Sequence, residues 1–306
     1  MKYFWAYLQE RFPLQANGVL IASYFTANYL LARGATLPAD VPLEITWRFP
    51  AGCVVLLCMF FHMRIIDEHK DYERDRVVHP NRILSRGLVT LKQLRVIGWF
   101  VIAVELVVSY LFGAPAFFLC IVLLVFSWLI YEEFYVGKIL EEHLLANAFL
   151  HLIIMPAYSL YVFTLVAEKF PWAAPVPILL YAWVSYGVGL AYELARKTRA
   201  PTDERPGLIT YSSVMGAYPP AWGTLLALSF SGTISAIVGL LMNFAWWYHA
   251  VVAALLIFVM FGVFRYRIHT TTVTAANLQI YAGMFIFAFD ILLAVELICL
   301  HGLVLT

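Results

Sequence analysis

Asp67, Asp71 and Asp75 recur every fourth residue in the stretch "RIIDEHKDYERDRVVHPNRILSRG", which begins at Arg64, and Glu68 follows the first of them. On a helix the i, i+4 and i+8 positions share one face, so the three carboxylates stack in a row with Glu68 beside them. Carboxylates about 6 Å apart repel by roughly 3 kcal/mol at an effective dielectric near 20. Such a row needs positive charge, and the sequence offers two sources. Lys70, Arg74 and Arg76 can pair locally with the acids at a solvated helix end. Alternatively a divalent cation, Mg²⁺ or else Mn²⁺, sits among the oxygens of Asp67, Glu68, Asp71 and Asp75. Such hard ions keep several waters and often complete their shell with substrate phosphates. Arg82 and Arg86, a few residues on, suit bidentate contact with phosphate oxygens. The chemistry in that case is the holding and release of a diphosphate, with an apolar cavity below for an attached hydrocarbon tail.

The elements that present this row belong to a membrane. Of 306 residues, 63% are hydrophobic and 13% charged, and mean hydropathy is +0.81, which describes a polytopic helical membrane protein. The apolar runs place nine spans at about 14–33, 43–66, 93–112, 114–131, 143–166, 175–194, 214–240, 244–264 and 276–304. Only "FGAPA" separates the third from the fourth, and Gly113 with Pro115 suits a tight turn there. The N-terminus lacks the pattern of a removable signal peptide and reads as mature chain. All Lys and Arg except Arg33, Arg48 and Lys169 fall on one side of these spans. That places the N-terminus and charged loops in the cytoplasm and the C-terminus opposite, with a bacterial inner membrane as the expected setting. A net charge of +1, with basic residues grouped by membrane side, excludes nucleic-acid binding. Cys53, Cys58, Cys120 and Cys299 lie in apolar runs without CxxC spacing and read as packing.

A second charged segment, "YELARKTRAPTDERPGLIT", follows the sixth span as the first follows the second. The expected architecture is therefore one all-α domain over 1–306. Two related four-helix halves and a ninth helix surround a central apolar cavity, capped by both charged loops.

At these residues the chain resembles the UbiA-type intramembrane prenyltransferases, over nearly its whole length. That family's first signature is Asn or Asp followed by Asp four and eight residues on, the spacing of Asp67, Asp71 and Asp75. Its "NRPLxSG" element is similar to "NRILSRG" through Asn81, Arg82, Leu84 and Gly87, with Ile83 and Arg86 departing. The second signature, Asp then Asp four residues later, meets Glu193 and Lys197 here, and its acidic, Gly and Thr ending resembles Asp203, Gly207 and Thr210. The resemblance implies transfer of a prenyl chain from an isoprenyl diphosphate to an acceptor, small or lipidic, in contact with membrane lipid. Asp71, Asp75 and Glu193 would carry the catalysis. Lys197 removes one metal ligand and adds a cation, so Arg196, Lys197 and Arg199 are expected to neutralise diphosphate beside Arg82 and Arg86. Glu193 would remain the main second-loop ligand, with Asp203 or Glu204 as substitutes. The family's Tyr and basic pair after the fourth span corresponds to Tyr135 and Lys138, the lysine reaching diphosphate.

Other features leave alternatives open. In "YEEFYVGKILEEHLLANAFLH", Glu132, Glu133, Glu141 and Glu142 suit either a solvated helix end or recognition of a polar or cationic acceptor. His143, Asn147 and His151 align at i, i+4 and i+8 and read as a hydrogen-bonded stripe within the bundle before a metal site. Glu105, Asp290 and Glu296 lie within spans. A transporter would use such acids, although the strongest polar clusters gather at one membrane face rather than the midplane. They are expected to be protonated or bonded between helices, with Glu296 reaching the external interface. A diiron enzyme needs more clustered His than the sequence has, whereas an isoprenoid cyclase would ionise the same diphosphate.

Overall fold

Backbone inside a bilayer must satisfy its own hydrogen bonds, and this chain does so almost entirely in helices. The computed structural model describes residues 2–38, 41–205 and 207–305. A short helix, α1 (Lys2–Arg11), precedes α2 (Leu14–Gly34), α3 (Arg48–Val78), α4 (Leu91–Phe112) and α5 (Ala114–Tyr131). The chain then passes through α6 (Gly137–Glu142), α7 (Leu144–His151), α8 (Ile154–Ala167) and α9 (Val176–Arg196). It ends with α10 (Tyr211–Met215), α11 (Pro219–Leu241), α12 (Trp246–Ile268) and α13 (Thr272–His301). The Asp row required the second span to continue past the membrane edge, and α3 does so without interruption to Val78. Between α4 and α5 the turn is as short as expected: Gly113 adopts φ 109°, a conformation that side chains resist, and Pro115 opens the next helix.

Among the described residues, eight stretches are long and apolar enough to cross a membrane: α3, α4, α5, α7 with α8, α9, α11, α12 and α13. The first expected span, α2, is a 21-residue helix but falls outside that set. It carries polar side chains that the bundle satisfies internally: Asn28 accepts from Ser159 of α8 at 2.5 Å, and Ser23 donates to Asp290 of α13 at 3.1 Å. The fifth expected span is broken at 152–153, between α7 and α8. At the end of the bundle away from the Asp row, Leu43–Ile45 and Leu303–Leu305 form a parallel two-stranded sheet, β1 with β2. The second span therefore starts at Arg48 rather than 43, and the last helix stops at His301.

Helices approach closely where small residues face one another, the usual means of packing when lipid is as apolar as the side chains. On α9, Gly187 packs against α11 so tightly that a Cβ there would press into Ser231 Oγ and stand 3.0 Å from the Ala227 carbonyl oxygen. Ser231 also donates across this contact to the Val184 carbonyl at 3.1 Å. Because α9 carries Glu193 and Lys197 at its end, this contact sets the position of one side of the cavity. Gly187→Ala is expected to destabilise the protein by about 1–3 kcal/mol through overpacking. Gly18→Ala, on α2 with no atom within 4 Å of the added Cβ, should be neutral or slightly stabilising. Thermal midpoints in one detergent compare the two, and equal midpoints would contradict this packing.

Candidate active site

The charged ends of α3 and α9 meet over a cavity of about 880 Å³. Its inner wall is largely apolar, with Phe60, Met63, Leu152, Met155 and Tyr158 among its lining residues. The mouth is dense in charge, lined by Asp67, Asp71 and Asp75 of α3, Glu193 of α9, and by Arg82, Arg196, Lys197 and Arg199. Helix periodicity brings the three aspartates to this one space, one turn apart.

Their pairing draws on both local and distant cations. Arg64 lies 3.7 Å from Asp67, and Arg74 donates to Asp71 at 2.7 Å. Asp75 accepts from Arg82 and, at 3.2 Å, from Arg11. Arg11 comes from α1 and lines the mouth, a residue that the motif spacing had not indicated. Its Nε also donates to Glu68 Oε1 at 2.6 Å, where Arg64 stands 3.1 Å from the same oxygen. Glu68 is therefore buried between two arginines, off the cavity wall. An i+1 neighbour on a helix points about 100° away from the Asp face, so the acid beside the row cannot share its cavity. Arg76 is exposed and outside the cavity, and Lys70 pairs not with the row but with Glu133 at 2.9 Å.

The segment after α3 folds as successive turns, with the Arg82 N–H donating to the His79 carbonyl and the Arg86 N–H to the Arg82 carbonyl. These turns direct Arg82 inward and leave Arg86 exposed, outside the cavity lining. Burial, and then the adjacent Arg11, lower the pKa of the Arg82 guanidinium. Burial and then Arg82 hold the His79 imidazole below its ordinary value. In each case burial is the larger cause and a neighbouring arginine the second, so positive charges stand close together here, a condition that favours an incoming anion.

Across the mouth, Glu193 accepts from Arg196 and from Lys197 Nζ at 2.8 Å. Lys197 also lies 5.8 Å from the centre of the Tyr211 ring, within cation–π range. Asp203 and Glu204, the substitute ligands, do other work. Asp203 accepts from Thr272 at 2.8 Å, tying the loop to the start of α13. Glu204 accepts from Thr210 and Ser212, both at 2.7 Å, folding the loop ahead of α10. Neither lines the cavity.

The third loop runs left-handed through Glu133, Phe134 and Tyr135, with φ of 49°, 52° and 59°. This turn points Glu133 toward Lys70 and sets Tyr135 against Trp128 at 5.8 Å between ring centres. Tyr135 and Lys138 consequently sit exposed, outside the cavity, whereas Glu133 and Glu141 line it.

The acids within spans are each bonded between helices. Glu105 faces His62 at 3.5 Å, and Asp290 accepts from Ser23 and, at 3.3 Å, from Tyr181. Glu296 does not reach an external interface: it is buried and accepts from the Ala245 N–H at the start of α12, a helix end that favours negative charge. None of the three lines the cavity.

Asp67, Asp71 and Glu193 offer hard carboxylate oxygens from two helices to one space, a donor set suited to Mg²⁺. Among the described residues no group of three Asp, Glu, His or Cys stands close enough to hold an ion unaided.

This cavity and bundle define an intramembrane enzyme scaffold whose sequence class is identifiable. The chain belongs to the UbiA prenyltransferase family, whose sequence model matches residues 20–289. No individually curated protein sequence matches it. Among solved structures, a digeranylgeranylglyceryl phosphate synthase superposes with a TM-score of 0.62 at 15% identity, covering 98% of this chain and all of the other. The apo UbiA homologue of Aeropyrum pernix K1 gives 0.64 at 12%, covering 90% and 96%. A UbiA homologue of Archaeoglobus fulgidus bound to GPP and Mg²⁺ gives 0.54 at 12%, covering 94% and 99%. At these identities the likeness is one of fold.

The Arg11 contact generates a stability test. Arg11→Ala leaves Glu68 buried with one arginine fewer, and should cost about 3 kcal/mol, the lower end for breaking a buried pair. Adding Glu68→Gln removes the orphaned charge and should recover at least half of the lost thermal midpoint. No recovery would show that Arg11 acts elsewhere.

Proposed function

We propose that the protein transfers an isoprenyl chain from its diphosphate to an acceptor at the α3–α9 cavity, with Mg²⁺ or Mn²⁺ assisting departure of the diphosphate. The observation that carries this reading is the meeting of Asp67, Asp71 and Glu193 with Arg82, Arg196, Lys197 and Arg199 at the mouth of a cavity with an apolar wall. The Archaeoglobus fulgidus homologue, with its bound GPP and Mg²⁺, supports the same class of ligand.

Asp67, Asp71 and Glu193 are the carboxylates that would hold the metal, and Asp75 orients Arg82 and Arg11. Glu68 is left out of the ligand set because both its arginines engage it away from the cavity. A bound divalent ion would neutralise charge on the diphosphate as it leaves. Arg82, Arg196, Lys197 and Arg199 grip phosphate oxygens whose charge rises as the allylic C–O bond breaks. Electrostatic stabilisation of this kind is commonly the largest catalytic contribution. The bond's electron pair leaves with diphosphate, the acceptor supplies the pair for the new bond, and its proton passes to solvent or to the released diphosphate. The enclosed wall around Phe60, Met155 and Tyr158 keeps water from the cationic carbon. Lys197, where relatives carry a carboxylate, shifts the second side from metal binding toward direct phosphate contact. The charged loops face the cytoplasm in this reading, as the distribution of Lys and Arg requires.

Incubation of the detergent-purified protein with prenyl diphosphates and Mg²⁺, with and without acceptors, followed by product mass analysis, tests the proposal. Diphosphate release and a prenylated product should require Mg²⁺ or Mn²⁺. Asp71→Ala should lower kcat/KM by at least about a hundredfold while keeping the wild-type thermal midpoint. Full turnover in excess chelator would sink the metal assignment, and a cyclised hydrocarbon formed without acceptor would replace transfer by cyclisation.

A further inference from the structure

One wall of the cavity carries polar groups that the diphosphate reading leaves unused. It is built by α7 and the segment leading into it, and the charged side chains that these described residues bring to the cavity are both acidic, Glu133 and Glu141. Asn147 and His151 also line the cavity, four residues apart on one face of α7. The expected stripe of mutual hydrogen bonds is not what they form. Asn147 Oδ1 and His151 Nε2 are both buried, and neither has a hydrogen-bond partner. His143, the third member of that pattern, is exposed ahead of α7 and outside the cavity lining. A bundle that used this wall only for packing would bear two unpaired polar atoms without return, since such atoms cost stability when buried. α7 also stops at His151 and the chain resumes as α8 at Ile154, so the pair sits where the wall is discontinuous.

We infer that Asn147 and His151 hold the head group of the acceptor, and that this head group is uncharged and bears a hydroxyl. The inference rests on the prenyl-transfer reading and names the acceptor class for that same cavity. An amide offers both a carbonyl acceptor and N–H donors, and a neutral imidazole offers one nitrogen of each kind. A hydroxyl is the small group that both donates and accepts, so one hydroxyl can donate to Asn147 Oδ1 while accepting from the Nε2–H tautomer of His151. A carboxylate or phosphate only accepts, and on this wall it would meet Glu133 and Glu141 with like charge. The cations nearest this wall are already engaged, Lys70 by Glu133 at 2.9 Å and Lys197 by Glu193 at 2.8 Å, and an anion has no proton to donate to Asn147 Oδ1. An ammonium would be drawn by the acids and could donate to Asn147 Oδ1, but it has no lone pair with which to accept from the Nε2–H tautomer of His151. The cavity is shared with Asp67 and Asp71, so an acceptor held here stands in the same enclosed space as the prenyl diphosphate.

The test uses the full-length protein in detergent and separates the two readings. Binding of geranyl thiolodiphosphate with Mg²⁺ is measured first, by calorimetry and without acceptor; absence of binding would overturn the prenyl-transfer reading and this inference together. Matched acceptors are then compared: an alkylglycerol with its phosphate ester and the corresponding alkylamine, and hydroquinone with hydroxybenzoate. The neutral hydroxyl compounds should be the ones prenylated. Asn147→Leu and His151→Leu should each raise the acceptor KM about tenfold, the effect of one lost hydrogen bond. The prenyl diphosphate KM should stay within about twofold, and His151→Gln, which keeps a donor and an acceptor, should recover part of the loss. If a leucine variant does not fold, the alanine variants give the same comparison. Preference for the anionic or amine compounds would overturn the inference while leaving prenyl transfer standing. Equal shifts in both KM values would do the same, and binding of the thiolodiphosphate with none of these acceptors prenylated would overturn the inference.

Discussion

The row of carboxylates at the end of α3 is the constraint from which the rest of the site follows. Acids stacked one turn apart repel one another. The chain answers with cations from three directions: Arg64 and Arg74 on the same helix, Arg82 from the turns that follow, and Arg11 from the N-terminal helix. Each partner fixes a segment around the cavity. Arg11 docks α1 by spanning Glu68 and Asp75, and Arg82 folds the downstream turns back against the helix that precedes them. Local pairing and ligand binding, which looked like competing explanations of the row, describe the same residues: the basic partners that neutralise the acids also line the space offered to a diphosphate.

The opposite side repeats the solution with a different balance. Glu193 is held by Arg196 and Lys197, and Lys197 rests against the Tyr211 ring. Asp203 and Glu204 are spent on shaping the loop, which leaves Glu193 as the carboxylate that α9 and its loop bring to the cavity. The two sides therefore differ in character, one rich in acids and the other richer in cations. On the proposed reading, an asymmetric mouth of this kind would orient a bound diphosphate, with metal toward α3 and direct basic contacts toward α9.

Much of this was legible in the sequence because it rests on periodicity. The spacing of Asp67, Asp71 and Asp75 required a helix that outlasts the membrane, and apolar run length marked most of the spans. What the sequence did not disclose depends on contacts between distant segments or on backbone turns. Arg11 and Glu68 are 57 residues apart, so no spacing rule links them. The left-handed turn at Glu133–Tyr135 reverses which side chains face inward, bringing Glu133 to Lys70 and taking Tyr135 and Lys138 away. The break after His151 lies within an apolar stretch whose composition suits one continuous helix. α2 shows the complementary effect, since its polar residues lower its hydropathy while other helices supply partners, Asp290 for Ser23 and Ser159 for Asn28.

The central claim is that α3 and α9 act on one ligand between them. The most direct measurement is a crystal structure of the protein with Mn²⁺ and a prenyl thiolodiphosphate, with the metal located by its anomalous scattering. The account predicts metal density at coordination distance from Asp67 or Asp71, with the diphosphate between that ion and Arg82 or Lys197 and the prenyl chain along the wall of Phe60 and Tyr158. Metal or diphosphate bound outside this cavity, with the α3 carboxylates still paired only to their arginines, would contradict it.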